Sequence, residues 1–341
     1  MYKKWFLLLG IIFLFVSCNK SVHPALPQKE IVLGTICTVN LFEHGTQELY
    51  AEIFDTLQKV ENLMSANTTT SEIACANKNA GLGEVVISKP TYDVLKIALE
   101  YSEKTNGAFN LAIGPLVKIW GIGTADAKIP TKEEIQVAKE LCNWQNIVLS
   151  EKNDSYFVFL EKAGMSLDLG GVAKGYAADQ INVILKSRGI DKAMIDLGGN
   201  IFAYGEKEIN TPWRIGIKNP FDSTGEPIIA LSIKNESVVT SGVYERFFEQ
   251  DGIRYHHLIN SATGFPSNNG LMSVTIVHEY STVADILSTA VFILGKDDGM
   301  NLLENMGIQG FCIASNKEIY ATNTIVRNLE IINKDFFLSP L

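Results

Sequence analysis

Apolar residues recur at helical spacing across Leu49, Ile53, Leu57, Val60 and Met64, which predicts a helix with one face on the core. Pro90 opens a second helix, marked by Leu95, Ala98, Leu99 and Ser102 and closed by Asn106-Gly107. Further helices are predicted from Thr131 to Cys142, from Lys174 to Arg188 and from Thr282 to about Leu294. Alternation predicts a strand over Ile31 to Phe42, opening with Leu33-Gly34-Thr35; others are read near 147–149 and 156–160, and 193–201 as a strand running into an acid and a Gly-Gly turn. The apolar run from Met165 to Leu169 reads as one more strand, carrying Asp168. From Trp213 to Ile259 short strands follow one another at 213–217, 228–233, 237–240, 245–249 and 254–259, with Thr240 to Arg246 as a polar turn between two of them. Paired strands over Gly307 to Tyr320 and a strand around Val326 to Ile332 complete the chain. Helices alternating with many short strands give an α+β fold with mixed, largely antiparallel sheets, in one large domain of two lobes with the ligand cleft between them.

The N-terminus changes the picture. Lys3 and Lys4 precede an apolar run from Trp5 to Val16, too short for a comfortable membrane span and placed where an export signal stands. Ser17-Cys18 after it resembles a bacterial lipobox, with Phe15 where leucine is usual; ordinary signal cleavage is the alternative. The expected organisation is a signal peptide over 1–17, a tether over 18–29 containing Pro24 and Pro27, and a folded domain over 30–341, in an exported protein held to the membrane by a lipid on Cys18 and facing the periplasm. A formal net charge of −9, with no basic stripe, argues against a nucleic-acid partner. Cys37, Cys75, Cys142 and Cys312 lie far apart without C-x-x-C spacing, so they form neither a disulfide framework nor a zinc site and read as incidental thiols.

Chemistry concentrates around Asp168-Leu-Gly-Gly-Val-Ala-Lys174. Gly170, Gly171 and Gly175 let the backbone turn and approach a ligand, the following helix aims its first N–H groups outward, and Lys174 adds positive charge, all features that suit phosphate. The stretch matches neither G-x-G-x-x-G nor the P-loop pattern, and a plain strand, turn and helix would read the same way. Asp196-Leu-Gly-Gly-Asn200 echoes it, suggesting two backbone turns near one site. Asp285, Ser288 and Thr289 stand at i, i+3 and i+4 and share a helix face, offering hard oxygen donors suited to Mg²⁺, or a buried Asp hydrogen-bonded to Thr. His256 and His257 on a strand point to opposite faces and cannot share a metal; one of them in a site would serve as a base. Phe109 to Trp120 is aromatic and punctuated by Gly and Pro, fit to line a pocket for a flat ring or to be core. Ser65 to Glu72 reads as a loop or helix cap.

These motifs, taken in order, resemble the ApbE family of FAD:protein FMN transferases. The resemblance rests on Leu33-Gly-Thr35, Ser71 through Asn77, Phe109 through Gly121, the two Gly-Gly segments, Thr240-Ser-Gly242, His257 through Gly264, and Ala284 through Ala290. It implies Mg²⁺-dependent transfer of the FMN half of FAD to a Ser or Thr hydroxyl of a target protein, an exported redox subunit, with release of AMP. By the same resemblance Leu33, Asn77, Ala108, Phe109, Asn110, Asp168, Lys174 and Ile259 contact FAD. Gly171, through its carbonyl, and Asp285 and Thr289 ligate the metal with Ser288 beside them, and His257 deprotonates the incoming hydroxyl. Two positions depart from the family pattern: Asn110 stands where Asp is usual, and Asn260-Ser261 where Asp-Pro is. Two other readings of the same residues are a Mg²⁺-dependent FAD pyrophosphatase and an FAD-binding lipoprotein without chemistry.

Overall fold

The computed structural model describes residues 26–222 and 225–341. The export signal, Cys18 and most of the tether lie outside the described residues. The chain enters with β1 (Gln28–Val32), which claims two residues assigned above to the tether, and β2 (Thr35–Leu41). What reads as one strand is therefore a hairpin. Leu33 and Gly34 both have positive φ, 56° and 67°, as the two-residue turn that matches strand twist requires.

α1 (Gln47–Met64) starts on the Thr46 cap and buries all five residues of the predicted stripe. Ser71, within the stretch read as a loop or helix cap, caps α2 (Glu72–Lys78), and Asn77 rides on that short helix. After β3 (Val85–Ile87) comes α3 (Lys89–Lys104), with Pro90 in its first turn. A 3-10 turn at Leu111–Ile113 leads into α4 (Gly114–Trp120), and Thr131 and Glu134 form a capping box on α5 (Lys132–Leu141). β4 (Ile147–Lys152) and β5 (Ser155–Leu160) form a hairpin that β3 joins.

α6 (Ala173–Ser187) precedes β6 (Ala193–Leu197), β7 (Asn200–Tyr204), β8 (Trp213–Lys218), β9 (Pro227–Ile233) and β10 (Glu236–Gly242). Two short hairpins follow, β11 (Phe247–Gln250) with β12 (Ile253–His256) and β13 (Ile259–Asn260) with β14 (Phe265–Pro266). β15 (Leu271–His278) leads to α7 (Ser281–Leu294) and α8 (Lys296–Met306). The last elements are β16 (Gln309–Ala314), β17 (Glu318–Ala321), β18 (Leu329–Ile331) and β19 (Phe337–Ser339).

Nine strands form one sheet in the order β1-β2-β6-β7-β10-β15-β16-β17-β19, antiparallel throughout except for β17 with β19. Its two faces follow from alternation. Val238, Val277, Phe311 and Ile313 face the three-stranded sheet β18-β9-β8, whereas Val239, Val274, Ile276 and Cys312 face α7 and α8. A further core joins α1, α2, α3 and α6 to the β3-β5-β4 hairpin sheet, and a small fourth core holds Leu116, Trp120, Ile135, Ala138, Cys142 and Ile259. Burial pushes the thiols of Cys37 and Cys312 up to about 12 and that of Cys142 to about 11, and the four described cysteines are free. No helix among the described residues is long and apolar enough to cross a membrane.

Candidate active site

Residues 165–169, read as a strand, alternate in burial, with Met165, Leu167 and Leu169 buried, but they join no sheet. Asn77 takes the place of a neighbouring strand: its Oδ1 accepts from the Leu167 N–H at 2.6 Å and its Nδ2 donates to the Leu167 carbonyl at 3.0 Å. The Asp168 N–H donates to Leu111, and the Gly114 N–H to Ser166. The amide of Asn77 thus holds the Asp168 segment, a positioning role that the resemblance did not imply. Asp168 Oδ1 accepts from the Gly170 N–H at 2.8 Å, closing the turn that leads to Gly171.

α6 and α7 cross at Gly175, where an added Cβ would stand 2.4 Å from the Ser281 carbonyl oxygen. This approach lets Asp285 Oδ2 accept from the Gly175 N–H at 3.0 Å, while Oδ1 lies 3.9 Å from Lys174 Nζ. One of the helix N–H groups expected to face an anion is therefore occupied by a carboxylate of the protein. A residue outside the sequence-derived set fixes the crossing. Asp179 of α6 accepts from the N–H groups of Ser281 and Thr282 at 2.7 and 2.9 Å and from the Thr282 hydroxyl at 2.6 Å, capping α7 from the neighbouring helix. Asp179 stands in the same motif as Lys174, eleven residues after Asp168, yet nothing local marks it as a cap for a distant helix.

The shared face of α7 divides. Asp285 is 3% exposed and Ser288 fully buried. The Ser288 hydroxyl donates to the Asp285 carbonyl at 2.9 Å and bonds Ser241 Oγ at 2.8 Å, so it ties α7 to β10 instead of serving a ligand. Of the polar turn predicted from Thr240 to Arg246, Thr240 to Gly242 are the end of β10, with Thr240 Oγ1 bonded to Thr275 across the sheet. Thr289 is partly exposed, and its hydroxyl has no hydrogen-bond partner among the described residues. Opposite it sits Gly171: a Cβ there would meet Thr289 Oγ1 at 3.2 Å and Phe109 Cε2 at 3.3 Å. Gly171, Thr289, Asp285, Lys174 and Phe109 thus converge.

His257 follows β12. Its backbone N–H donates to the Arg246 carbonyl at 3.1 Å, and Nδ1 lies 3.3 Å from the same oxygen. Since a carbonyl only accepts, Nδ1 carries the proton and Nε2 keeps its lone pair. Burial pushes the imidazole down to about 4, and the charges of Arg246 and Lys174 push the same way. His256 is the buried, satisfied histidine: Nε2 bonds the Ser267 carbonyl at 2.8 Å and Nδ1 accepts from the Leu258 N–H at 3.3 Å. The strand read over 254–259 ends at His256, so the separation of the two rings comes from the bend after β12 and not from strand alternation.

The remaining pocket assignments fall on scaffold and rim. Phe109 belongs to the core around α1, α2, α3 and α6, Ala108 packs against the core under α7 and α8, and Ile259 lies in the small core with Trp120, so the site stands where three cores meet. Leu33, half-buried at φ 56°, is a bulky residue held in a left-handed turn, a strained position of the kind that clusters at ligand sites. Trp120 is fully buried, donates Nε1–H to the Gly264 carbonyl at 2.8 Å and stacks on Tyr255, fastening the hairpin after His257. It is core rather than a platform for a flat ring. Asn110 caps the 3-10 turn through Oδ1 and donates Nδ2–H to the Cys142 carbonyl at 2.8 Å, a bond that an ionised Asp could not make. Asn260 Oδ1 accepts from the N–H of Ala262 and of Thr263, again a turn-forming role. Both asparagines serve the scaffold. The second Gly-Gly forms the β6–β7 turn, with Asp196 Oδ1 on the Gly199 N–H, and Cys37 lies within electrostatic reach of both Asp196 and Lys174. A cavity of about 760 Å³ lined by Arg254, Tyr255, His256, Phe265 and Asn269 contains none of these site residues.

The donor set suits a hard cation: one carboxylate, one uncommitted hydroxyl and the backbone beside Gly171. No cluster of three or more His, Cys, Asp or Glu side chains able to hold a metal exists among the described residues. A cation here would need substrate phosphates and water to complete its shell.

Residues 33–312 match the model of the ApbE family. The FAD:protein FMN transferase of Treponema pallidum is 38% identical over 325 residues, spanning 91% of this chain and 90% of the relative. That of Vibrio cholerae is 29% identical over 311 residues, spanning 89% and 91%. Among solved structures, the ApbE protein of Thermotoga maritima superposes with a TM-score of 0.81 at 31% identity, covering 89% of this chain and 98% of that one. The flavin transferase ApbE of Vibrio cholerae gives 0.78 at 27%, with coverage of 89% and 98%. On the family match, the extent of these identities and the shared fold, the chain belongs to the ApbE family.

Proposed function

We propose that this protein transfers the FMN half of FAD to a Ser or Thr hydroxyl of a target protein and releases AMP. The observation that carries the reading is the convergence of Lys174, Asp285, Thr289 and Gly171 on one spot, with a neutral imidazole held in the tautomer that presents Nε2. Relatives named FAD:protein FMN transferase span nine-tenths of the chain and support it.

Phosphoryl transfer asks mainly for in-line positioning and cancellation of charge. The acceptor oxygen forms a bond to the FMN phosphorus, and the bond from that phosphorus to the bridging oxygen breaks. AMP departs with the electron pair, and the hydroxyl proton passes to His257 Nε2. A positioned base of this kind contributes typically about 10²–10⁴-fold. An imidazole at about 4 is a weak base in the free protein. A diphosphate that offsets the charges of Lys174 and Arg246 would relieve the smaller, electrostatic part of that depression, burial being the larger part. Asp285, Thr289 and the Gly171 carbonyl would hold Mg²⁺, which neutralises phosphate charge when bound. Lys174 addresses the same anion, and the Asp168 turn sets the Gly171 backbone.

The test incubates purified protein with FAD and Mg²⁺, with and without a Ser/Thr-containing exported redox subunit, and measures FMN, AMP and covalent flavin. Flavin fixed to the acceptor with stoichiometric AMP is expected. Free FMN and AMP regardless of acceptor would identify a pyrophosphatase, and intact FAD a carrier. We further propose export and anchoring through a lipid on Cys18, facing the periplasm. Mass spectrometry of the mature N-terminus checks this: an unlipidated terminus other than Cys18 would overturn it.

A further inference from the structure

We propose that Arg246 is a second cation for the nucleotide diphosphate, working with Lys174; the inference rests on the FAD-dependent reading above. Arg246 is exposed, and its guanidinium has neither a hydrogen bond nor an ion pair among the described residues. Arg188, Arg214 and Arg254, by contrast, each lie on a carboxylate. Its backbone is fixed, since its carbonyl receives both His257 contacts. The side chain therefore leaves from the residue that holds the candidate base, and substituting it spares those bonds.

Two glycine turns make room for that side chain. A Cβ at Gly123 would stand 3.4 Å from Arg246 Cδ, and one at Gly34 would stand 3.9 Å from Nη2. Gly34 follows Leu33 in the left-handed turn, so the guanidinium lies beside the rim of the site. Both Arg246 and Lys174 are within electrostatic reach of the His257 ring.

Charge accounting shows why a second cation is needed. Lys174 lies 3.9 Å from Asp285, so these two side chains together contribute no net charge. A diphosphate diester brings two negative charges, which one divalent cation balances. When AMP leaves as a monoester a further negative charge develops, and among the described residues Arg246 is the other cation within electrostatic reach of His257 to meet it. A guanidinium matches two phosphate oxygens at once, which an ammonium does not.

The experiment compares wild type, Arg246→Gln and Arg246→Lys in binding of Mg²⁺–ADP and of riboflavin, and in FMN transfer as a function of pH. Arg246→Gln should weaken ADP by roughly 10–100-fold, the usual worth of a lost hydrogen bond to a charged group, and leave riboflavin unchanged. Arg246→Lys should recover part of the loss. With one positive charge removed, the acid limb of transfer should also move to higher pH. Wild-type ADP affinity in Arg246→Gln, or equal losses for ADP and riboflavin, would overturn the inference. Failure of the wild type itself to release AMP would instead remove the transferase reading.

Discussion

Gly175→Ala tests the idea that the site depends on how closely α6 and α7 approach. The new Cβ would meet the Ser281 carbonyl oxygen at 2.4 Å and Thr282 Cα at 2.7 Å, whereas ordinary contact begins near 3.4 Å. Both neighbours are backbone, so no rotamer change relieves them, and the helices must separate by roughly 1 Å. Overpacking of this kind costs about 1–3 kcal/mol. Alanine offsets about 1 kcal/mol of it through its better helix propensity. The net loss of stability is then only about 0–2 kcal/mol, a fall of a few degrees in Tm for a domain of this size. Function should suffer far more. The same separation breaks the 3.0 Å bond from the Gly175 N–H to Asp285 and shifts that carboxylate relative to Lys174. A misplacement of about 1 Å costs on the order of 10²-fold in rate. The assay is the rate of covalent flavin formation at saturating FAD and Mg²⁺, set beside a thermal melt. A wild-type rate at an unchanged Tm would refute the reasoning.

Asp285→Asn should raise the Mg²⁺ concentration needed for half-maximal transfer, because the only carboxylate at the converging donors loses its charge; an unchanged Mg²⁺ titration removes the ligand assignment. His257→Gln should slow transfer by about 10²–10⁴-fold while FAD affinity holds, and equal losses in both would argue against a base. The same ring predicts a pH effect on stability. Its folded pKa, about 4, lies below the ordinary 6.5, so its contribution is complete above pH 6.5 and is lost as pH falls toward 4. Denaturation midpoints between pH 4 and 7 should therefore fall more in wild type than in His257→Gln. Asp179→Ala leaves two N–H groups and a hydroxyl at the start of α7 without their acceptor. It should cost about 0.5–2 kcal/mol, as a lost cap does, read as a lower urea midpoint that Asn in its place partly restores.

Local signals marked α1, α3, α5, α6 and α7: an apolar stripe in α1 and α3, and cap residues or Gly and Pro punctuation that act over a few residues. The ordered set of motifs likewise pointed to the family and to most of the converging side chains. Where the chain was misread, the deciding partner lies far away in sequence. Residues 165–169 alternate as a strand does, but alternation reports only which side is buried, and their partner is the amide of Asn77, ninety residues earlier. Thr240 and Ser241 look like a turn because they are polar, yet Thr275 and Ser288 satisfy their hydroxyls inside the fold. α8 went unread because Gly295, Asp297, Asp298 and Gly299 resemble a loop, and it forms by burying Met300 and Leu303 on the sheet. Ser288 belongs to the scaffold, Asp179 caps a helix it does not belong to, and Arg246 stands between glycines 34 and 123. Those roles are set by packing, since a hydrogen bond or a close backbone approach between distant segments leaves no period in either one.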